Sequence, residues 1–370
     1  MSQTIVQTVS NAGNRLSLTS VDKAATSAEQ EPSLYRYSHL LPSFDPNEPR
    51  ALSHKDSRSF LANAVTNDLT PWFGTEISNV DLLTLNEEGR DQLALETARR
   101  GVLVFRDQEH WLNADTDAWV AFASYFGRLH IHPTSGHPRG YPQVHLVYRD
   151  AHATYNYELD QNITATVWHS DVSYEIQPPG LTIFFLLDQP KTGGDTLFVS
   201  QTAVLRRFSP AFVAFLRTLN AVHSGMSKPS IVAQGSEEGW FAEILWRMCI
   251  PYVQSHDGCH GRFNNLRVQV VRRHPVTGEE ALYVNKQFTR RIVGLKKEES
   301  DNLLNFLCDA LAQAHESQVR LKWRPNTVVV WDNRITAHAA NLDFSPTGER
   351  RHGARLAAQA EKPIASSKGI

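Results

Sequence analysis

From about Val144 onward the chain is a succession of short apolar runs cut apart by turn residues, and this pattern constrains its fold more than any other feature. VHLVY, ATVWHSDVSYE, LTIFFLL, DTLFVS, EALYVN, TVVVWDN and GARLAAQ are short hydrophobic runs of this kind. Pro-Pro-Gly, Thr-Gly-Gly-Asp and Pro-Val-Thr-Gly fall between them. Apolar runs bounded by glycine and proline read as strands. Strands that follow one another without regular helical crossovers pair antiparallel, so the expected fold is mainly β: a double-stranded β-helix, or jelly-roll, core decorated with α-helices. Four helices are expected, at Glu87–Arg100 (leading into the strand of GVLVFRDQ), Ala114–Phe126, Thr202–Leu219 and Lys297–His315. No GxGxxG or Walker-type loop is present, which argues against a nucleotide cofactor.

Residues 1–60, rich in Ser, Thr, Asn, Pro and Glu, read as a tail that is partly disordered or wraps the surface, and 61–370 as one catalytic domain. Within that domain the aromatic, cysteine-containing stretch 228–265 reads as a lid, a dimer contact or an insertion. A formal charge of −2, with only short basic clusters, predicts no nucleic-acid partner. The absence of any run of ~18 apolar residues predicts no membrane span. Three cysteines without a CxxC pair, and no secretory signal, point to the cytoplasm. Homo-oligomerisation is left open.

His169-Ser170-Asp171 lies in a β-rich stretch, and on a strand positions i and i+2 point to one face. Imidazole and carboxylate would therefore converge on a metal. A third nitrogen ligand completes a facial triad that leaves positions for a co-substrate and O2, a donor set that suits iron(II). The spacing alone is weak, because about one His-x-Asp is expected by chance in a chain of this composition. His54-Lys55-Asp56 repeats it in a polar stretch with no strand around it and reads as a solvated loop.

The surroundings of the motif are more specific. VWHSDVSYEIQPPG, TGGDTLFVS, VVVWDNRITAHAAN and ERRHGAR, with GVLVFRDQ, GRLHIHPTSG, ALYVNKQFTRRIV and EESDNLLNFL, closely resemble the taurine dioxygenase family of iron(II)/2-oxoglutarate enzymes, in particular its fungal sulfonate dioxygenase branch. The likeness runs from about Trp72 to Pro363. It implies that His169, Asp171 and His338 hold the iron, and that Arg351 meets the distal carboxylate of 2-oxoglutarate beside the Thr196 hydroxyl. A two-residue insertion relative to bacterial members leaves Arg350 as an alternative clamp. Arginine suits this role because its fork grips a carboxylate in bidentate fashion.

Arg355, four residues past Arg351 and so on the same strand face, is implied to meet the sulfonate of the substrate with His132. His130 is a weaker candidate, and His145, His223, His274 and His315 read as structural. Ser135 and Ala165 stand where bacterial members carry two substrate-contacting side chains. The implied activity consumes 2-oxoglutarate and O2 and hydroxylates a small anionic substrate, such as taurine, at the carbon next to sulfur, releasing sulfite and an aldehyde. Two other readings are the same chemistry on a non-sulfonate carboxylate or secondary metabolite, and an inactive jelly-roll binding protein.

Overall fold

A computed structural model of the chain describes residues 58–132, 135–149, 167–225, 266–344 and 347–366. The 228–265 segment, most of the expected tail, the His54-Lys55-Asp56 loop and Ala165 lie outside the described residues. The strands are β1 (Val65–Asp68), β2 (Thr75–Ser78), β3 (Val102–Phe105), β4 (His145–Arg149), β5 (Pro179–Asp188), β6 (Thr196–Ser200), β7 (Asn220–His223) and β8 (Leu266–Gln269). They continue with β9 (Val271–Arg273), β10 (Glu280–Leu282), β11 (Thr289–Ile292), β12 (Gln318–Leu321), β13 (Val328–Asp332), β14 (Thr336–Ala340), β15 (Arg351–Gln359) and β16 (Ile364–Ala365). The helices are α1 (Glu87–Arg100), α2 (Glu109–Asn113), α3 (Thr116–Ser124), α4 (Gln201–Arg207), α5 (Pro210–Arg217) and α6 (Lys297–Ala312).

The chain is thus mainly β with helices around the sheets. Seven strands form one sheet in the order β1-β2-β3-β13-β5-β15-β4, and three three-stranded sheets accompany it: β12-β6-β14, β11-β7-β8 and β10-β9-β16. Every pairing is antiparallel except β2 with β3. Pairing among the described residues leaves open sheets and closes no barrel. None of the described helices is long and apolar enough to cross a membrane.

Two-residue periodicity sorts the large sheet into two faces. Leu103 and Phe105 of β3, Ile183 and Phe185 of β5, Val328 and Val330 of β13, and Ala354 and Leu356 of β15 pack under the helices against Trp111, Trp119 and Phe122. Their neighbours Val102, Val104, Phe184, Leu186, Val329 and Trp331 turn the other way. They meet Phe198 of β6 and Val319 and Leu321 of β12 in a second core between two sheets. Arg351, Gly353 and Arg355 have the parity opposite to Ala354 and Leu356, so the same alternation sends them toward the inter-sheet side. Gly353 has no room for more than hydrogen there, because a Cβ would stand 2.5 Å from the Phe184 ring.

Local signals explain the element ends. The Asn86 side chain accepts from the Gly89 N–H at the start of α1, acidic residues fill its first turn, and Gly101, at φ +73°, ends it. The expected single helix over Thr202–Leu219 is two, because the chain leaves helical geometry at Phe208. Ser209 then caps a new helix that has Pro210 in its first turn. The expected strand through His169 and Asp171 is also absent: His169 makes an isolated bridge to His338, and Asp171 to Tyr174 form a turn.

Candidate active site

The bridge brings two imidazoles together. The His169 N–H donates to the His338 carbonyl at 3.0 Å and the His338 N–H to the His169 carbonyl at 2.8 Å, which sets the rings 4.3 Å apart. The turn then carries Asp171 back to them, and Val172 accepts φ +39°, a left-handed value that is strained for a β-branched side chain. Asn333, just past β13, holds the turn. Its Oδ1 accepts from the Asp171 N–H at 2.8 Å, and its Nδ2 donates to the Asp171 and Pro179 carbonyls at 3.1 Å each.

Asp171 Oδ1 lies 3.7 Å from His169 Nε2 and 3.8 Å from His338 Nε2, and the three ligand atoms all fall within 4.8 Å of one another. Burial works against charge on Asp171, but Arg355, His338, His169 and His145 together hold its carboxyl below the usual range. His338 is pushed down to about 3, by burial first and then by His169 and Arg355. Both groups are therefore in their ligating forms at neutral pH. His169 Nδ1 donates to the Val167 carbonyl at 3.0 Å, which leaves Nε2 as the free lone pair. Asp171 Oδ2 is buried with no hydrogen-bond partner among the described residues. A buried carboxylate oxygen without a donor, beside two imidazoles, is the donor set of a divalent metal with open positions.

A second centre lies on the same face. Arg351 is 4% exposed, and its Nε donates to the Gly194 carbonyl at 3.1 Å and its Nη2 to Thr196 Oγ1 at 3.3 Å. The Thr196 hydroxyl also accepts from Trp323 Nε1 at 3.1 Å, so its own proton is available to a further acceptor. The guanidinium lies over the rings of Phe184 and Trp323, and burial pushes its pKa down to about 10, which leaves it charged. Among the described residues Arg351 makes no ion pair, unlike Arg272 with Glu361, Arg334 with Asp332 and Arg355 with Asp171. Arg350 points elsewhere: it pairs with Asp188 at a half-exposed edge.

Arg355 is buried against the metal triad and donates from Nη1 to Asp171 Oδ1. His132 Nδ1 accepts from the Ser135 N–H at 3.2 Å, and its ring stacks on His145 at 4.3 Å. His130 is engaged differently, its Nε2 lying 3.0 Å from Glu175 Oε2. Of the residues expected from sequence, the structure therefore brings together His169, Asp171, His338 and Arg355, and separately Arg351 with Thr196. It sets Arg350 apart.

The sequence compares directly with known proteins. Residues 66–357 match the family described as "Taurine catabolism dioxygenase TauD, TfdA family". The chain belongs to this family. It is a 2-oxoglutarate-dependent dioxygenase. An alpha-ketoglutarate-dependent sulfonate dioxygenase of Saccharomyces cerevisiae is 37% identical over 301 residues, covering 81% of this chain and 68% of the relative. The alpha-ketoglutarate-dependent dioxygenase cnsP of Penicillium expansum is 36% identical over 349 residues, covering 89% and 87%. Among solved structures, a taurine dioxygenase from Burkholderia xenovorans superposes with a TM-score of 0.63 at 27% identity, over 82% of this chain and 91% of that one. In this TauD-family chain, Asn333, which holds the Asp171 turn, is a residue that sequence reasoning missed.

Proposed function

We propose that this dioxygenase uses iron(II) at His169, Asp171 and His338, clamps 2-oxoglutarate with Arg351 and Thr196, and hydroxylates an alkyl sulfonate such as taurine beside sulfur. The observation that carries the reading is Arg351, a buried cation that makes no ion pair among the described residues, since Asp195, the acidic group whose field reaches it, is paired with Arg320. Leaving a charge so placed is costly unless an anion completes it. Bound iron(II) supplies the chemistry, coupling decarboxylation of 2-oxoglutarate to succinate and CO2 with insertion of oxygen into the substrate C–H bond.

The chain's own side chains do the rest. Arg351 offers its fork, and Thr196 its hydroxyl proton, to the distal carboxylate of the co-substrate. Asp171 stays ionised and His338 neutral, so neither needs to exchange a proton before ligating. Phe198 and Trp331 flank the His338 ring, with centroids 5.9 and 5.1 Å away, and keep water from that side. Arg355, seated beside Asp171, places a substrate anion so that the carbon next to its head group faces the metal. In a sulfonate, hydroxylation at that carbon gives an adduct that collapses to an aldehyde and sulfite. The core shared by the large sheet and β12-β6-β14 supports a double-stranded β-helix as the scaffold.

The yeast relative's name, and Arg355 and His132 as the anchors that the family resemblance implies, favour sulfonates. Ser135, standing where bacterial members carry a substrate-contacting tyrosine, and the name of the Penicillium relative, which specifies no sulfonate, favour a second reading in which the same chemistry acts on another acid. Incubation with iron(II), 2-oxoglutarate and ascorbate against taurine, isethionate, longer alkyl sulfonates and unrelated acids separates the two. Sulfite appearing with succinate is the expected result. Succinate driven only by a non-sulfonate acid favours the second reading, and no succinate with any substrate contradicts both.

A further inference from the structure

His145 is a histidine with an unmet need. Two buried histidines outside the metal triad satisfy both ring nitrogens, while His352 also leaves Nε2 without a partner among the described residues. His274 meets Asp332 through Nε2 and two turn N–H groups through Nδ1, and His223 lies between the hydroxyls of Ser173 and Thr289. By contrast, the Nδ1 of His145 is sealed from solvent and has no hydrogen-bond partner among the described residues. A buried polar atom of this kind calls for a partner.

Its position says which partner. In the β15–β4 ladder His145 stands directly opposite Arg355. Opposed residues of an antiparallel pair share a face, with Cβ atoms about 5 Å apart. The His145 ring also stacks on His132, with planes 30° apart. The Ser135 N–H donated to His132 Nδ1 places that ring's proton on Nε2. Arg355 gives one N–H to Asp171 and carries four more. Burial, and after it Arg355, hold His145 neutral, with one N–H to give.

We propose that His145 is the third donor of an anion cradle completed by Arg355 and His132, and that this cradle selects the three-oxygen head group of sulfonates and sulfate esters over carboxylates. The inference rests on the reading of Arg355 and His132 as substrate anchors. Three separate donors match three oxygens one to one. A carboxylate has two oxygens and would leave one donor unpaired, the situation that makes polar sites reject a near-match.

The test uses the full chain loaded with iron(II) and 2-oxoglutarate under anaerobic conditions, with hexanesulfonate, hexyl sulfate and heptanoate as probes. Calorimetry gives the dissociation constants, and aerobic turnover gives KM and kcat. His145→Leu and His145→Phe remove the donor, the second keeping a ring to stack on His132, and His145→Gln keeps an N–H. The Leu and Phe variants are expected to weaken both three-oxygen probes about tenfold or more, the usual cost of one hydrogen bond to a charged group, while heptanoate moves less than twofold. The Gln variant should retain the preference within about threefold. Sulfite from the sulfonate and sulfate from the ester report which source the enzyme consumes. Equal losses for all three probes, or none, overturn the cradle while the sulfonate reading stands. If the unsubstituted enzyme binds neither three-oxygen probe, the sulfonate reading and the cradle fail together.

Discussion

Replacing Asn333 by Ala tests whether the position of Asp171 is held by one side chain or by the turn itself. The amide, 1% exposed, satisfies the Asp171 N–H and two carbonyls, and its truncation leaves all three without that partner. Each orphaned buried group costs about 1–3 kcal/mol, and water entering the space left by the side chain offsets part of that, so a loss of about 3–5 kcal/mol of unfolding free energy is expected. Freed at both ends of its peptide, Asp171 should also drift from the imidazoles, because Val172 is held at a strained φ. Supporting interactions around metal ligands typically carry 10–100-fold in metal affinity. Urea unfolding of the metal-free protein measures the first effect, and calorimetric titration with iron(II) or cobalt(II) at a temperature where the variant is folded measures the second. A stability loss with metal affinity unchanged within twofold would refute the argument, since Asn333 would then serve the fold and not the ligand.

Three further outcomes follow from the geometry. Arg351→Lys keeps the charge but loses the fork, so 2-oxoglutarate affinity should fall about tenfold while substrate affinity moves little; the equivalent change at Arg350, paired with Asp188, should leave 2-oxoglutarate alone. His223 is held at about 4 by burial first, against 6.5 when unfolded, so the unfolded chain binds the extra proton as pH drops. Stability should therefore decline from about pH 6.5 toward pH 4, by about 2 kcal/mol between pH 7 and 5 from this group, and urea titrations of His223→Gln should show a shallower decline. Gly353→Ala drives a methyl into the Phe184 ring and the Phe185 carbonyl, at 2.5 and 2.9 Å, and should lower the unfolding free energy by about 1–3 kcal/mol; an unchanged melt would mean that β15 shifts freely.

The parts of this molecule legible in the sequence are those decided locally. α1 runs over the residues that its asparagine cap and terminal glycine mark, and β5, β6 and β13 follow their β-branched and aromatic runs. The alternation that put Arg351 and Arg355 on one face survives intact. The break between α4 and α5 was also written locally, in the Ser209-Pro210 pair, and was outweighed by the apolar character of the segments on either side. Other features depend on partners far along the chain. Asp171 meets His338 through a turn, and Asn333, 162 residues away, fixes it. His145 gains its role only because β15 returns beside β4. Arg350 and Arg351 could not be told apart until Asp188 claimed the first.

The central claim, that one turnover splits O2 between 2-oxoglutarate and a sulfonate, is tested most directly with ¹⁸O2. The enzyme, iron(II), 2-oxoglutarate and taurine or a longer alkyl sulfonate are incubated under labelled gas, and succinate and sulfite are quantified together. One ¹⁸O atom in each succinate, with sulfite formed in equal amount, is the predicted result. Unlabelled succinate, or labelled succinate that forms at the same rate without the sulfonate and yields no sulfite, would contradict it.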